Sequence, residues 1–167
     1  MIEKFYDGLK DIKYGWYDKN NILHTRLEKD EFRKNYKMQS CDNVLKSRYA
    51  ICWEMCEVQR KYFDRIGVNN KTIFVYLNNG RGECHTFSVF NMNNYWYWFE
   101  ASWERKKGIH KFNSLNEILD FYRDNFEDFA KFGYNKEDIV FYEYDKALAG
   151  CSCEDFYKHC LSGKLIK

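Results

Sequence analysis

The stretch Ala50-Ile51-Cys52-Trp53-Glu54-Met55-Cys56 opens a segment in which core-type residues recur every three or four positions. The pattern continues to Ile66, and Gly67 then interrupts it, which is typical of the end of a helix. The sequence therefore predicts a helix that begins at Cys52 and buries one side. Backbone N–H groups in the first turn of a helix have no carbonyl partner within the helix, so we expect Cys52 beside free amide donors.

A β-hairpin is predicted further along the chain. Residues 84–90 and residues 95–100 each show the two-residue alternation of side chains that is typical of a strand. The intervening Asn91-Met92-Asn93-Asn94 is typical of a turn. The predicted strands carry His85 and Glu100. A histidine and an acid on neighbouring strands can form a hydrogen bond when both project from the same face.

The length of the loop decides whether these two side chains share a face. A four-residue loop, 91–94, places His85 directly opposite Glu100. A two-residue loop, Asn93-Asn94, places His85 opposite Ser102 and diagonal to Glu100, still on one face. A three-residue loop would put them on opposite faces. His85 and Glu100 can therefore form a hydrogen bond only if the loop contains an even number of residues.

The three residue types point to nucleophilic catalysis. A cysteine reacts as the thiolate, and both a helix N-terminus and a neighbouring imidazole favour that anion. An acid then orients the imidazole. We therefore interpret Cys52, His85 and Glu100 as a catalytic triad, with amides of the first helical turn as oxyanion donors. The alternative for Cys52 is a packed core residue.

Composition limits the class of protein. The 167 residues suffice for one domain with its own core, and the absence of proline argues against a Pro-rich linker, so we expect a single domain over 1–167. The 27 basic and 25 acidic side chains give a net charge of +2, which does not indicate nucleic acid or an anionic membrane as a partner. The longest apolar runs, 73–77 and 95–99, are too short to cross a bilayer.

The cysteines favour a reduced setting. Seven is an odd number, and the N-terminal residues lack the basic-then-apolar order of a signal peptide, so we expect a cytoplasmic protein. Cys52 and Cys56 lack a second pair at matching spacing, which makes them a weak metal signal. Cys151, Cys153 and Cys160 leave open a zinc site completed by a histidine. We predict neither a metal nor a cofactor.

The remaining segments indicate an α+β fold. Helices are predicted over residues 2–12, 27–37, a short segment from Ser40 through Leu45, from Ser114 to Phe129, and near 153–160. Strands are predicted over 71–77 and 138–144, and a long loop over 102–113. We expect the Cys52 helix to pack on an antiparallel sheet of about four strands.

The order of these features resembles the transglutaminase-like superfamily of papain-related cysteine enzymes. A cysteine opens a helix that ends at Arg65-Ile66-Gly67-Val68, His85 lies on the next strand but one, and Glu100 ends a strand. A smaller bacterial and phage group within it is similar over nearly the whole chain. Further motifs carry that similarity: Tyr14-Gly15-Trp16, His85-Thr86-Phe87, Phe99-Glu100-Ala101-Ser102-Trp103-Glu104 and Gly108-Ile109-His110. The chain departs from the superfamily pattern at Ala50, where glycine is usual, and at Glu100, where aspartate is commoner.

Other residues are also candidates for roles in the site. In animal-type transglutaminases an upstream tryptophan helps to hold the transition state, and Trp16 lies at a similar separation from the nucleophile; a core or cleft-wall position is the alternative. Gln39 is a candidate oxyanion donor, with a surface or backbone-bonding glutamine as the alternative. Trp53, Trp103 and His110 are candidates for contact with the substrate.

The resemblance also implies acyl chemistry on an amide, with a peptide or protein as the substrate. We expect hydrolysis by a peptidase, amidase or deamidase, because small bacterial members of the superfamily look mainly hydrolytic. Transamidation of protein glutamine is the alternative within the same chemistry. A non-catalytic module that binds a peptide or glycan in an aromatic cleft is the alternative from another class, and the complete triad argues against it.

Overall fold

The computed structural model describes residues 1–80, 82–126 and 135–167, and these form an α+β fold. The helices are α1 (Ile2–Leu9), α2 (Lys29–Asn35), α3 (Cys41–Ser47), α4 (Cys52–Arg65), α5 (Leu115–Asn125) and α6 (Cys153–Leu161). The strands are β1 (Lys13–Tyr14), β2 (Trp16–Tyr17), β3 (Leu23–His24), β4 (Tyr49–Ala50), β5 (Asn70–Leu77), β6 (Cys84–Met92), β7 (Tyr95–Glu100), β8 (Gly108–Phe112), β9 (Ile139–Tyr144) and β10 (Lys164–Leu165). Phe129, at the predicted end of the helix after Ser114, lies outside the described residues.

Six strands form one antiparallel sheet in the order β10-β9-β5-β6-β7-β8. The prediction of about four strands was therefore too low, because β8 and β10 add one strand to each edge. The predicted loop over 102–113 is wrong where it contains β8, which pairs along β7 from Gly108 to Phe112. Such a short edge strand depends on its partner, and its own residues carry little alternation.

The starts of α3, α4 and α5 follow the signals in the sequence, whereas α1 and α2 are shorter than the predicted 2–12 and 27–37. α4 begins at Cys52, and Gly67 lies just past its end with a φ of +67°, a conformation that glycine adopts without strain. Ser40 precedes α3, and its Oγ accepts the N–H of Asn43 at 3.2 Å. Ser114 caps α5 in the same way. These side-chain caps confirm the predicted starts of both helices.

α4 packs on one face of the sheet, as predicted. Met55, Val58 and Phe63 lie in one buried cluster with Phe90 of β6 and Phe99 of β7. Each of these five side chains is 3% exposed or less. Burying an aliphatic or aromatic side chain of this size contributes about 1.5–3 kcal/mol, so this cluster fixes α4 on the sheet.

α5 covers the opposite face. Ile118 and Tyr122 are fully buried in a second cluster with Phe87 of β6 and Trp98 of β7. Trp98 and its neighbour Phe99 therefore project to opposite faces, as the predicted alternation requires. Among the described residues, no helix combines the length and the apolar character that a membrane span needs.

Candidate active site

A buried acidic side chain, Glu54, holds the backbone at the start of α4 by hydrogen bonds. Glu54 is 1% exposed; its Oε2 accepts the N–H of Ile51 at 2.9 Å and its Oε1 accepts the N–H of Gln39 at 3.2 Å. Burial raises the pKa of Glu54 to about 7, although both bonds lower it. The two bonds fix the residue before the helix, so Cys52 begins α4 in a defined position. The first-turn amides that follow have no carbonyl partner within the helix.

A close approach between two short strands brings a tyrosine to this position. β1 pairs in parallel with β4, and the N–H of Gly15 donates to the carbonyl of Ala50 at 3.3 Å. A Cβ on Gly15 would lie 2.9 Å from Cδ1 of Tyr49 and 3.2 Å from the carbonyl oxygen of His24, so the contact requires glycine. The preceding residue, Tyr14, consequently lies beside the start of α4.

Tyr14 was not among the predicted site residues. Its side chain is half-exposed and lines the same opening as Cys52. Burial, with smaller effects from the charges of Cys52 and Glu54, raises the pKa of Tyr14 to about 12. The motif Tyr14-Gly15-Trp16 was a signal for this residue, but nothing in its spacing distinguishes the tyrosine from the tryptophan.

The predicted contact between His85 and Glu100 is present. Nε2 of His85 lies 3.0 Å from Oε2 of Glu100, and the residues are 3% and 1% exposed. Oε1 of Glu100 accepts the N–H groups of Ser102 and Trp103 at 2.7 and 2.8 Å. Both carboxylate oxygens are therefore engaged, and the acid holds the imidazole in one orientation.

The hairpin explains how the two side chains meet. Its loop is the two-residue alternative, Asn93-Asn94, and both residues have positive φ, as a type I′ turn requires. The pairing of β6 with β7 ends at Ser88 and Phe99, so His85 and Glu100 lie beyond the last pair. The two side chains therefore meet just past the paired part of the hairpin.

Cys52 lies beside the same imidazole. Burial lowers the pKa of His85, but the Glu100 carboxylate and the Cys52 sulfur, by charge and by hydrogen bonding, raise it to about 10. Each ring nitrogen has a single hydrogen-bonding position in the ring plane. Because Nε2 is bonded to Glu100, Nδ1 is the nitrogen that remains for Cys52. The three predicted residues are thus brought together, with the imidazole in the middle.

A groove of about 310 Å³ opens beside Cys52 and His85. Its other walls are formed by Tyr14, Leu27, Lys29, Phe32, Arg33, Trp53, the segment 82–84, Ser102, Cys153 and Tyr157. Most of these residues are apolar or aromatic. Sequence reasoning missed the contributions of α2 and α6, since amphipathic spacing gives no indication of what a helix faces.

Two of the predicted contact residues lie at or behind the groove. Trp53 is 3% exposed, lines the groove and stacks on Phe156 with ring centroids 4.2 Å apart. The ring of Trp103 lies 6.2 Å from that of His85, and its backbone is bonded to Glu100. Trp103 therefore supports the imidazole and its acid from behind.

Three other predicted site residues do not line the groove. Trp16 is fully buried, and its Nε1 donates to the carbonyl of Arg26 at 3.0 Å, so it occupies the core alternative. Gln39 donates from Nε2 to the carbonyl of Tyr49 at 2.9 Å, which is the backbone-bonding alternative. His110 lies on β8, with Nε2 2.7 Å from the carbonyl oxygen of Lys106. We assign none of the three to the chemistry.

Burial raises the pKa of six thiols: Cys41, Cys56, Cys84, Cys151, Cys153 and Cys160. Cys84 and Cys153 line the groove, and Cys56 is 1% exposed in the core. Within the described ranges, no three His, Cys, Asp or Glu side chains are grouped closely enough to hold a metal ion.

Comparisons with known proteins do not assign a family to this site. No protein-family model matches the chain, and no curated protein is found to match it. Functional inference therefore depends on the geometry of Cys52, His85 and Glu100.

Proposed function

We propose that this chain is a cysteine hydrolase that breaks an amide or peptide bond through a thioester intermediate. One observation carries the proposal: the buried imidazole of His85 is bonded to Glu100 through Nε2 and is also a hydrogen-bonding partner of the Cys52 sulfur. Burying charged groups costs several kcal/mol for each ion, so packing alone is a poor reason for this arrangement beside a half-buried thiol.

Acylation follows from the positions of these groups. The Cys52 thiolate attacks the carbonyl carbon, a C–S bond forms, and the carbonyl oxygen becomes an oxyanion. Backbone N–H groups in the first turn of α4 donate to that oxyanion. Nδ1 of His85 gives its proton to the amide nitrogen, and the C–N bond breaks to release an amine. The acyl group remains on Cys52 as a thioester.

Deacylation uses the same groups in reverse. Water attacks the thioester carbon, and neutral His85 takes one proton from it. The C–S bond breaks, the carboxylic acid leaves, and the pair formed by the Cys52 thiolate and the His85 imidazolium is restored. Glu100 maintains the ring orientation and stabilises the imidazolium charge. An amine in place of water would give a new amide, which is the transamidation alternative.

The proposal includes a transglutaminase-like, papain-related fold. A helix that begins with the nucleophile packs on an antiparallel sheet, His85 lies on the second strand after that helix, and Glu100 lies on the next. This order supports the resemblance. Ala50 takes the place of the usual glycine in β4 without needing a positive φ.

Turnover of a peptide library tests the proposal. We would incubate the parent chain with an equimolar mixture of glutamine-containing peptide amides and follow the products by mass spectrometry. We expect cleavage or deamidation with the parent and none with Cys52→Ser. Cys41→Ser is the matched control, because Cys41 is another partly exposed thiol that lies outside the groove.

Added methylamine distinguishes hydrolysis, in which water accepts the acyl group, from transamidation, in which an amine accepts it. Formation of methylamides at the expense of acids would show transamidation in place of hydrolysis. No product from a folded parent chain, with or without methylamine, would contradict the enzyme and favour the binding module.

A further inference from the structure

One wall of the groove is an aromatic surface that packs against Cys52. The rings of Phe32 and Trp53 lie 5.3 Å apart, edge to face, and Trp53 stacks on Phe156. The hydroxyl of Tyr157 donates to the carbonyl of Gly82 at 2.7 Å, and this bond holds the Tyr157 ring against the segment that leads to His85. An apolar surface with few rotatable groups is suited to an apolar or aromatic side chain of the substrate.

Two cationic side chains of α2, Lys29 and Arg33, line the groove one helical turn apart. Nζ of Lys29 lies 3.5 Å from Oε1 of Glu83, so the charge of Lys29 has a partner in the groove. Glu83 is the one carboxylate among the described residues that line the groove. No ion pair to Arg33 occurs within the described parts of the chain. The charge of Arg33 is therefore available to a ligand.

The guanidinium of Arg33 is directed toward the groove. Gly82 has a φ of +74°, and a Cβ there would lie 3.3 Å from Nη2 of Arg33, so the guanidinium lies over the backbone that leads to His85. Burial raises the pKa of Cys153 to about 11, and the charge of Arg33 opposes that effect. The positive charge therefore acts on a residue that lines the groove.

We propose that the groove selects acidic acyl donors, in which an apolar or aromatic residue carries the reacting carbonyl and an adjacent Asp or Glu pairs with Arg33. This inference rests on the proposed function and adds a substrate class to it. A guanidinium binds a carboxylate through two parallel hydrogen bonds, which gives geometric as well as electrostatic preference. The volume of about 310 Å³ is near the lower end for ligand pockets, consistent with one or two side chains.

Two matched dipeptides test the inference. Calorimetric titration of Cys52→Ser with acetyl-Glu-Phe-amide and acetyl-Gln-Phe-amide measures binding without turnover. We expect the Glu peptide to bind about fivefold more tightly, the upper range for a partly exposed ion pair. With the parent chain, kcat/KM for the corresponding coumarin amides should show the same preference.

Matched variants assign that preference to one residue. Arg33→Gln should remove it in both assays. Lys34→Gln should retain it, because Lys34 is an exposed cation on the same helix that does not line the groove.

The outcomes separate the substrate class from the activity. Equal binding of the two peptides, no binding of either, or a preference that survives Arg33→Gln would overturn the inference. Turnover of both coumarin amides with equal kcat/KM would also overturn it while leaving the hydrolase in place. Preferential binding lost in Arg33→Gln, without any turnover by the parent chain, would support the acidic site and contradict the hydrolase.

Discussion

Nε2 of His85 lies 3.0 Å from Oε2 of Glu100, with only 4% and 1% of the two side chains exposed. The other oxygen of Glu100 is held by the N–H groups of Ser102 and Trp103. Rotation of the acid would therefore break its bonds to both the backbone and the imidazole. Because this acid fixes the ring and raises its pKa, replacing it should change His85 directly.

Glu100→Gln should lower the pKa of His85. The charge that raises this pKa is removed, whereas burial, which lowers it, remains. The amide also presents an N–H donor to Nε2 if its oxygen keeps the two backbone bonds. Breaking a buried ion pair costs about 3–5 kcal/mol, so the free energy of unfolding should fall, and turnover should be lost. Titration of the His85 ring by NMR measures the shift.

The same variant should change how stability depends on pH. In the parent chain the folded pKa of about 10 exceeds the ordinary 6.5, so the stabilisation is complete below pH 6.5 and is lost as the pH rises toward 10. Denaturant unfolding of Glu100→Gln should show less of this decline. Glu104→Gln is the control, because Glu104 is 83% exposed and pairs with Lys107. An unchanged His85 pKa in Glu100→Gln would remove Glu100 from the triad.

Two serine substitutions on α4 should separate catalysis from stability. Cys52→Ser replaces one half-buried atom, so the free energy of unfolding should change by less than about 1 kcal/mol while turnover is abolished. Cys56→Ser places a hydroxyl at a position only 1% exposed and should lower the free energy of unfolding by about 1–3 kcal/mol, with turnover retained. Equal loss of activity in the two folded variants would contradict the choice of nucleophile.

Two features of the sequence predicted the parts of the site that lie on helices and strands: the spacing of the apolar residues, and whether the hairpin loop has an even or an odd number of residues. The spacing after Cys52 defined α4, and an even loop was enough to place His85 and Glu100 on one face. The requirement for an even number of loop residues did not select between the four-residue and the two-residue loop. The left-handed conformations of Asn93 and Asn94 select the shorter one, and that choice places the acid diagonally across from the histidine.

Tertiary contacts decide what the sequence could not predict. β8 forms because β7 offers it an edge, so its own residues resemble a loop. Phe32, Arg33 and Tyr157 reach the groove from helices at opposite ends of the chain, and no local pattern connects them. The indole N–H of Trp16 finds a carbonyl partner in the core, which spacing from the nucleophile does not reveal.

Gly15→Ala should disturb the approach of β1 to β4. The added Cβ would lie 2.9 Å from a ring carbon of Tyr49 and 3.2 Å from the backbone oxygen of His24, which cannot move freely. We expect a loss of about 1–3 kcal/mol in the free energy of unfolding, measured with denaturant, together with reduced turnover. Gly8→Ala is the control, because no atom lies within 4 Å of its added Cβ. Equal stability of the two variants would show that the close approach is not needed.

Glu54→Gln should remove a pH dependence of stability. The folded pKa of Glu54 is raised by burial from 4.5 to about 7, so its stabilising effect is complete below pH 4.5 and is lost as the pH rises through 7. Between pH 4.5 and 6.5 the free energy of unfolding should therefore fall less in the variant than in the parent chain. The amide leaves one of the N–H groups of Ile51 and Gln39 without its acceptor, which adds a constant cost of about 1–3 kcal/mol. Parallel pH curves for parent and variant would contradict the raised pKa.

Brief alkylation with less than one equivalent of iodoacetamide, followed by peptide mass spectrometry, tests most directly whether Cys52 is the activated nucleophile. Burial raises the pKa of Cys41, Cys56, Cys84, Cys151, Cys153 and Cys160, and the Cys52 sulfur is a hydrogen-bonding partner of the His85 imidazole. We predict that Cys52 carries most of the label at neutral pH, ahead of the comparably exposed Cys41 and Cys151. A label spread evenly over the cysteines, or found on Cys41 or Cys151 before Cys52, would contradict the proposed enzyme.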